Sequence, residues 1–378
     1  MERRPSQEGP RPRPGIEQIS PYIGGEADAD AERVYQLAAN EGALGPSPKA
    51  MEAYQDLAAS LHRYPEGGSI KLRQALAERW NLNADHIVCG AGSDELISLL
   101  IQAYADEGDE VLHTEHGFLM YRLSSLAAGA TPVAVPEKNR RADVNAILSA
   151  VTDRTRLVFL ANPNNPTGTY LSAAELTQLH AELPPSILLV VDAAYAEYVE
   201  EPDYPDTAAM VEMADNVVML RTFSKIFALP ALRVGWAYCP PNIADTLNRV
   251  RGPFNVSAAG QAVAIAALED REFFDKSVAL NRQSRDRLTQ NLRGLGLSVG
   301  PSAGNFVLVD FASAEGASAD DALAFLKRRG VLVRAMGGYG LGTCLRITVG
   351  TGEDVAAVTD GLAAYCADLD KQPQPTRA

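Results

Sequence analysis

Four short segments hold residues whose types and spacing suit chemistry. In RTFSKIFALPALRVGW, residues 221 to 236, Lys225 follows the hydroxyls of Thr222 and Ser224 and precedes Arg233 by eight positions. A lone lysine is ordinarily a solvated surface charge. In VVDAAYAEY, Asp192 ends a run of five apolar residues and Tyr195 stands three positions on. A carboxylate buried there without a partner costs several kcal/mol, so it serves as an N-cap or meets a bound cation. In ANPNNPTGTY, residues 161 to 170, two Asn-Pro steps and a Thr-Gly step impose a rigid turn from which Asn165 presents an amide. In CGAGSDELISLL, Gly90 and Gly92 let the backbone approach closely, and a helix opening at Ser93 and Asp94 offers N–H groups and a positive dipole end to a phosphate. Taken alone, that last segment reads equally well as a tight turn with Ser93 as its N-cap.

One cofactor uses all four. Pyridoxal 5'-phosphate needs a lysine amine for a Schiff base, a carboxylate at its pyridine nitrogen, donors at its phenolic oxygen and a cradle for its phosphate. Lys225 is the candidate amine and proton carrier, and Asp192 the candidate carboxylate.

The elements that must position these residues show in the hydrophobic pattern. From about residue 50 to 240, helical patterns alternate with the apolar runs HIVCG, DEVLHT, RLVFLAN, SILLVVDAAY, NVVMLRTF and VGWAYC. Several are apolar at nearly every position, as strands buried on both faces are. The pattern predicts an α/β protein whose large domain holds a mainly parallel, helix-covered sheet. Ligands gather beyond the carboxyl ends of such strands, where all four segments fall. After Pro240 a long helical stretch, DTLNRVRGPFNVSAAGQAVAIAALED, leads to a smaller α+β domain containing NFVLVDF, ADDALAFLKRRG, VLVRAM and CLRITVG. The expected division is an N-terminal arm over residues 1–50, a cofactor-binding domain over 51–245, and an interdomain helix with the small domain over 246–378.

Composition narrows the function. The 378 residues carry 46% hydrophobic side chains and a formal net charge of -14, enough for a large core and unfavourable for nucleic acid. Four scattered cysteines suggest buried free thiols, and His113 with His116 lacks a third ligand, so no metal is expected. No apolar span suggests a membrane segment or secretory signal, which points to the cytoplasm.

NPNNPTG, VDAAYAEY, SK followed by LR, and CLRITVGT occur in an order and spacing that resemble the fold-type-I, class-I/II aminotransferases, most closely the histidinol-phosphate branch, from about Tyr22 to Thr351. The resemblance implies that Asn165 and Tyr195 serve the phenolic oxygen and Asp192 the pyridine nitrogen. Ser93, Asp94, Thr222, Ser224 and Arg233 would hold the phosphate. Phe118, in HGFLMY, would stack on the ring; core packing is its alternative. Tyr64, in HRYPEGG, would reach the phosphate in a neighbouring subunit, implying a homodimer, although it could equally pack within its own chain. Arg346 would grip substrate carboxylate and Arg334 would support a phosphate end, with an exposed ion pair as the alternative for Arg334. Tyr22 would close over the imidazole side.

The implied reaction is amino transfer between glutamate/2-oxoglutarate and histidinol phosphate/imidazole acetol phosphate. An aromatic-amino-acid aminotransferase and a threonine-phosphate decarboxylase share these motifs. A non-catalytic binding protein on the same scaffold is the reading from another class. Two departures stand out: NEGA replaces the family's NENP at Asn40 and Glu41, and Pro230 stiffens the loop between Lys225 and Arg233.

Overall fold

The computed structural model describes residues 11–21, 31–369 and 371. A two-residue strand, β1 (Tyr35–Gln36), precedes seven that form one sheet: β2 (Ile87–Gly90), β3 (Glu110–Thr114), β4 (Thr131–Val135), β5 (Thr155–Ala161), β6 (Leu188–Asp192), β7 (Val217–Thr222) and β8 (Gly235–Tyr238). Their order across the sheet is β2-β8-β7-β6-β5-β3-β4. Pairing is parallel from β7 through β4, whereas β8 runs antiparallel to both of its neighbours. The parallel strands therefore all present their carboxyl ends on one rim.

Alternate side chains point to opposite faces of a strand, and both faces of this sheet are covered. Val88, Val111, Phe159, Val190 and Leu220 pack under the helices Ser93–Tyr104, Leu119–Ala128 and Pro241–Val250. Cys89, Leu112, Leu160, Val191 and Trp236 pack with Ile70–Trp80, Ala173–Glu182 and Ala258–Glu269 on the other side. Double-sided burial explains the nearly unbroken apolar runs. TPVAV, the strand β4, was not among the runs read from the sequence. It is an edge strand, half exposed and interrupted by Pro132, so its pattern is weak.

The C-terminal third holds β9 (Ser298–Val299), β10 (Phe306–Asp310), β11 (Val331–Leu332), β12 (Arg334–Ala335) and β13 (Cys344–Thr348). Four of these form an antiparallel sheet in the order β12-β13-β10-β9. Val307, Val309, Leu345 and Ile347 pack there against the helices Arg271–Gly294, Ala319–Arg328 and Gly352–Leu369. β11 instead pairs in parallel with β1, so the N-terminal arm joins the C-terminal third.

The long helical stretch expected after Pro240 is two helices, Pro241–Val250 and Ala258–Glu269. Gly252-Pro253 interrupts the first, and Ser257 starts the second by accepting from the Gly260 N–H at 2.9 Å.

Candidate active site

A cavity of about 170 Å³ opens at the carboxyl rim of the large sheet. β2 delivers Ser93 and Asp94 to it, β3 Phe118, β5 Asn165, β6 Asp192 and Tyr195, and β7 Thr222, Ser224 and Lys225. Arg233 and Pro230 enter from the loop ahead of β8. Residues spread over 140 positions of sequence thus line one small space.

The helix Ser93–Tyr104 starts at Gly92, which has φ +86° and supplies no side-chain cap. Ser93 is therefore the first helical residue, and not the N-cap considered above. Several other helices carry side-chain caps: Ser172 forms a capping box with Glu175, and Ser47, Asp143, Ser257 and Ser318 accept from their first turns, whereas those starting at Ile70, Leu119, Pro241 and Arg271 lack one as this helix does. The first-turn N–H groups at Ser93, with the positive dipole end behind them, could serve an anion. Two glycines make room: a Cβ on Gly235 would stand 2.3 Å from Ser93 N, and one on Gly92 would stand 2.4 Å from Arg233 Nη2.

Hydroxyls and a guanidinium complete the cradle. Thr222 Oγ1 donates to Ser224 Oγ at 3.1 Å and Arg233 Nη1 donates to the same oxygen at 3.4 Å. Arg233 Nη2 also pairs with Asp94 Oδ2 at 3.0 Å. A carboxylate repels phosphate, so what suits Asp94 to the cradle is its backbone N–H together with its hold on Arg233.

Asp192 is buried at the end of β6. Its Oδ2 accepts from the Tyr121 hydroxyl at 2.8 Å and its Oδ1 from the Ala194 N–H at 3.2 Å. Burial pushes its carboxyl up to about 6, against the pull of those two donors. Lys225, half-buried, donates from Nζ to the Ala39 carbonyl at 3.2 Å and lies 5.8 Å from the Tyr195 ring centre. Burial, then the neighbouring Arg346, bring its ammonium down to about 8. An amine that titrates near neutrality can take and return a proton.

Arg346 comes from β13, two-thirds of the chain beyond Ser93 in sequence. It is 7% exposed; its Nη1 donates to Asn165 Oδ1 at 2.7 Å and its Nη2 to the Ala38 carbonyl at 2.6 Å. Arg334 faces Arg346 directly across the β12–β13 pair, and directly opposed residues project from the same face. Phe118 is half-buried and meets Tyr121 edge-on at 5.8 Å.

Of the expected residues, Tyr64, Arg334 and Arg346 are not part of the lining of this cavity, although Arg346 reaches Asn165 in it. Tyr64 is 83% exposed and stacks on Phe254 at 4.7 Å, outside the site of its own chain. Tyr22 lies outside the described residues. His113 and His116 donate from Nδ1 to the Thr114 and Tyr339 carbonyls at 2.9 and 2.8 Å, and no group of three or more metal-ligating side chains occurs among the described residues.

Sequence reasoning passed over Tyr121, Thr348 and Asn305, and left Asn40 without a role. A tyrosine one helical turn after Phe118, within an otherwise apolar stretch, was the available signal for Tyr121. Gly42, the third residue of NEGA, is explained by packing: a Cβ there would stand 2.6 Å from Ala228 Cβ and 3.2 Å from the Lys225 carbonyl.

The chemistry of this donor set matches pyridoxal phosphate. An uncapped helix start flanked by hydroxyls and Arg233 could accommodate the phosphate, Asp192 the pyridine nitrogen, and Asn165 and Tyr195 an anionic oxygen, all around the Lys225 amine.

Comparison with known proteins agrees. Residues 32–362 match the family model for aminotransferase class I and II. Histidinol-phosphate aminotransferases of Rhodospirillum centenum and Paramagnetospirillum magneticum are 58% and 53% identical over 94% of this chain, covering 99% and 98% of their own lengths. The crystal structure of histidinol-phosphate aminotransferase from Sinorhizobium meliloti in complex with pyridoxal-5'-phosphate superposes with a TM-score of 0.83 at 28% identity, over 94% of this chain and 98% of that one. With sequence motifs, sheet order and site in agreement, the chain belongs to the class I and II aminotransferases, enzymes of fold type I.

Proposed function

We propose that the enzyme transfers an amino group between glutamate/2-oxoglutarate and histidinol phosphate/imidazole acetol phosphate, a step of histidine biosynthesis. The observation that carries this reading is the meeting of Lys225 and Asp192, from adjacent strands, in one cavity with an uncapped helix start. The choice of substrate is supported by curated relatives 50–58% identical over nearly the full length.

Pyridoxal phosphate, when bound, supplies a conjugated ring that withdraws electrons from the reacting carbon. Asp192 holds a proton on the ring nitrogen, and Tyr121 keeps that carboxylate ionised and aimed. Lys225, with its amine near neutrality, takes the proton from the substrate carbon and returns it. Tyr195 and Asn165 donate to the phenolic oxygen. Ser93, Thr222, Ser224, Arg233 and the Asp94 N–H grip the phosphate, while Phe118 covers one ring face. Arg346 binds the substrate carboxylate through its planar fork. With Arg334 beside it, a phosphate dianion is better matched than a monoanion, each charge-assisted contact being worth roughly 1.5 to 3 kcal/mol.

The working unit in this reading is a cytoplasmic homodimer in which Tyr64 and, above the imidazole, Tyr22 complete the sites. The divisions at 50/51 and 245/246 are part of the same proposal. Among the described residues no helix is long and apolar enough to cross a membrane.

The test is a substrate panel. Glutamate should bleach the visible band of the holoenzyme, and histidinol phosphate should react faster than tyrosine or phenylalanine. A faster reaction with the aromatic amino acids would assign the enzyme to them, and carbon dioxide release from threonine phosphate would make it a decarboxylase.

A further inference from the structure

Asn40 has no part in the mechanism above, yet it is 1% exposed and touches three separated segments. Its backbone N–H donates to Thr348 Oγ1 at 2.9 Å, and the hydroxyl hydrogen of Thr348 goes back to Asn40 Oδ1 at 3.3 Å. That exchange decides which way the amide points. Nδ2 is left facing Tyr195 Oη, 3.0 Å away. The Asn40 carbonyl in turn accepts from Asn305 Nδ2 at 3.0 Å. The backbone at Asn40 has φ +55°, a conformation that asparagine tolerates better than most residues.

An amide N–H cannot accept, so a phenol oxygen facing one must send its own hydrogen elsewhere. Tyr195 lines the cavity, which is the polar space left to it. Asp192 and Lys225 flank the phenol from the large sheet, Arg346 from β13, Tyr339 from the loop before β13, and Tyr198 from its own turn.

We infer that Asn40 is a positioning residue: by donating to Tyr195 Oη it aims the phenol O–H into the cavity, and through Thr348 it ties that aim to β13. Arg346 lies two residues before Thr348, on the same face of the strand. The donor to the phenolic oxygen and the clamp on the substrate anion are therefore registered to each other through one buried amide. This rests on the pyridoxal phosphate reading proposed above.

The test is the pH dependence of the visible band of the holoenzyme. A donor to an anionic oxygen favours the deprotonated chromophore, so loss of its aim raises the midpoint. Asn40→Gly, which keeps the left-handed backbone, should raise the midpoint by roughly half a pH unit to one. Thr348→Val, which frees the amide to turn, should shift it in the same direction and less. Asn40→Gly added to Tyr195→Phe should move it no further than Tyr195→Phe alone. An unchanged midpoint in Asn40→Gly and Thr348→Val, or shifts that add to that of Tyr195→Phe, would overturn the inference and leave the cofactor assignment standing. A parent protein with no visible band overturns both. Should Asn40→Gly fail to fold, the Thr348→Val arm decides by the same criterion.

Discussion

Asp192 and Lys225 meet the cavity with charges at odds with their burial. Asp192 titrates at about 6 against an ordinary 3.8, so the folded apoenzyme disfavours its anion. The resulting penalty is full above about pH 6 and gone below 3.8, where folded and unfolded chains are both protonated. Lys225, lowered from 10.5 to about 8, carries its penalty below pH 8 and loses it above 10.5. Between pH 6 and 8 both act together, and a bound ring that pairs with each relieves them. Apoenzyme carrying Asp192→Asn should therefore melt at a higher temperature than parent apoenzyme at pH 7, with the difference vanishing as pH falls toward 3.8. Calorimetry across that range checks it; a parent apoenzyme more stable at pH 7 would show that Tyr121 and Ala194 overcome the desolvation. That Lys225 and Asp192 share one rim was legible because their neighbours in sequence are strand-like. Tyr121 was not, because its link to Asp192 spans 71 positions.

At the scale of elements, the start of the helix Ser93–Tyr104 matters most, since its uncapped N–H groups are the proposed anion site. That arrangement needs β8 to pass very close, which Gly235 permits. In Gly235→Ala the new methyl group collides with the Ser93 backbone and displaces the helix start. Affinity of the apoenzyme for pyridoxal phosphate should fall about tenfold or more, equivalent to ~1.4 kcal/mol, with a lower Tm. Gly294→Ala, at a helix end with open space around it, is the control and should leave both nearly unchanged. Equal binding in the two variants would show that the close approach does not shape the site. The glycines of CGAGSD announced a tight turn, but the need for Gly235 depends on β8 lying beside β2, where Gly235 pairs with Gly90, 145 positions away.

The whole molecule brings a large and a small sheet to one seat. Arg346 crosses from β13 to Asn165, the His116 ring reaches the Tyr339 carbonyl, and Arg140 pairs with Asp310. Tyr54, Leu61 and Tyr64 remain 55%, 73% and 83% exposed, a concentration of large apolar side chains that suits burial against a second copy. Leu61→Asp should weaken the proposed dimer, and sedimentation should then show monomer at concentrations where the parent is dimeric. Because Tyr64 would lose its target in the partner site, cofactor affinity should fall with dissociation. A parent that sediments as a monomer would remove Tyr64 from the mechanism.

Local patterning alone determined the class of sheet, placed four turns at its carboxyl rim and singled out Lys225 and Asp192 as the candidate amine and carboxylate, because strand burial and turn chemistry act over a few neighbouring residues. Resemblance of whole motifs adds Arg233, Phe118 and Arg346 to the candidates. What only the tertiary structure decided was how those groups are held: Tyr121 under Asp192, the uncapped helix against Gly235, and Asn40 between Tyr195 and Thr348. These contacts join segments between 71 and 308 positions apart. Hydrogen-bond geometry at such separations depends on where folded elements dock, and no periodicity along the chain records it.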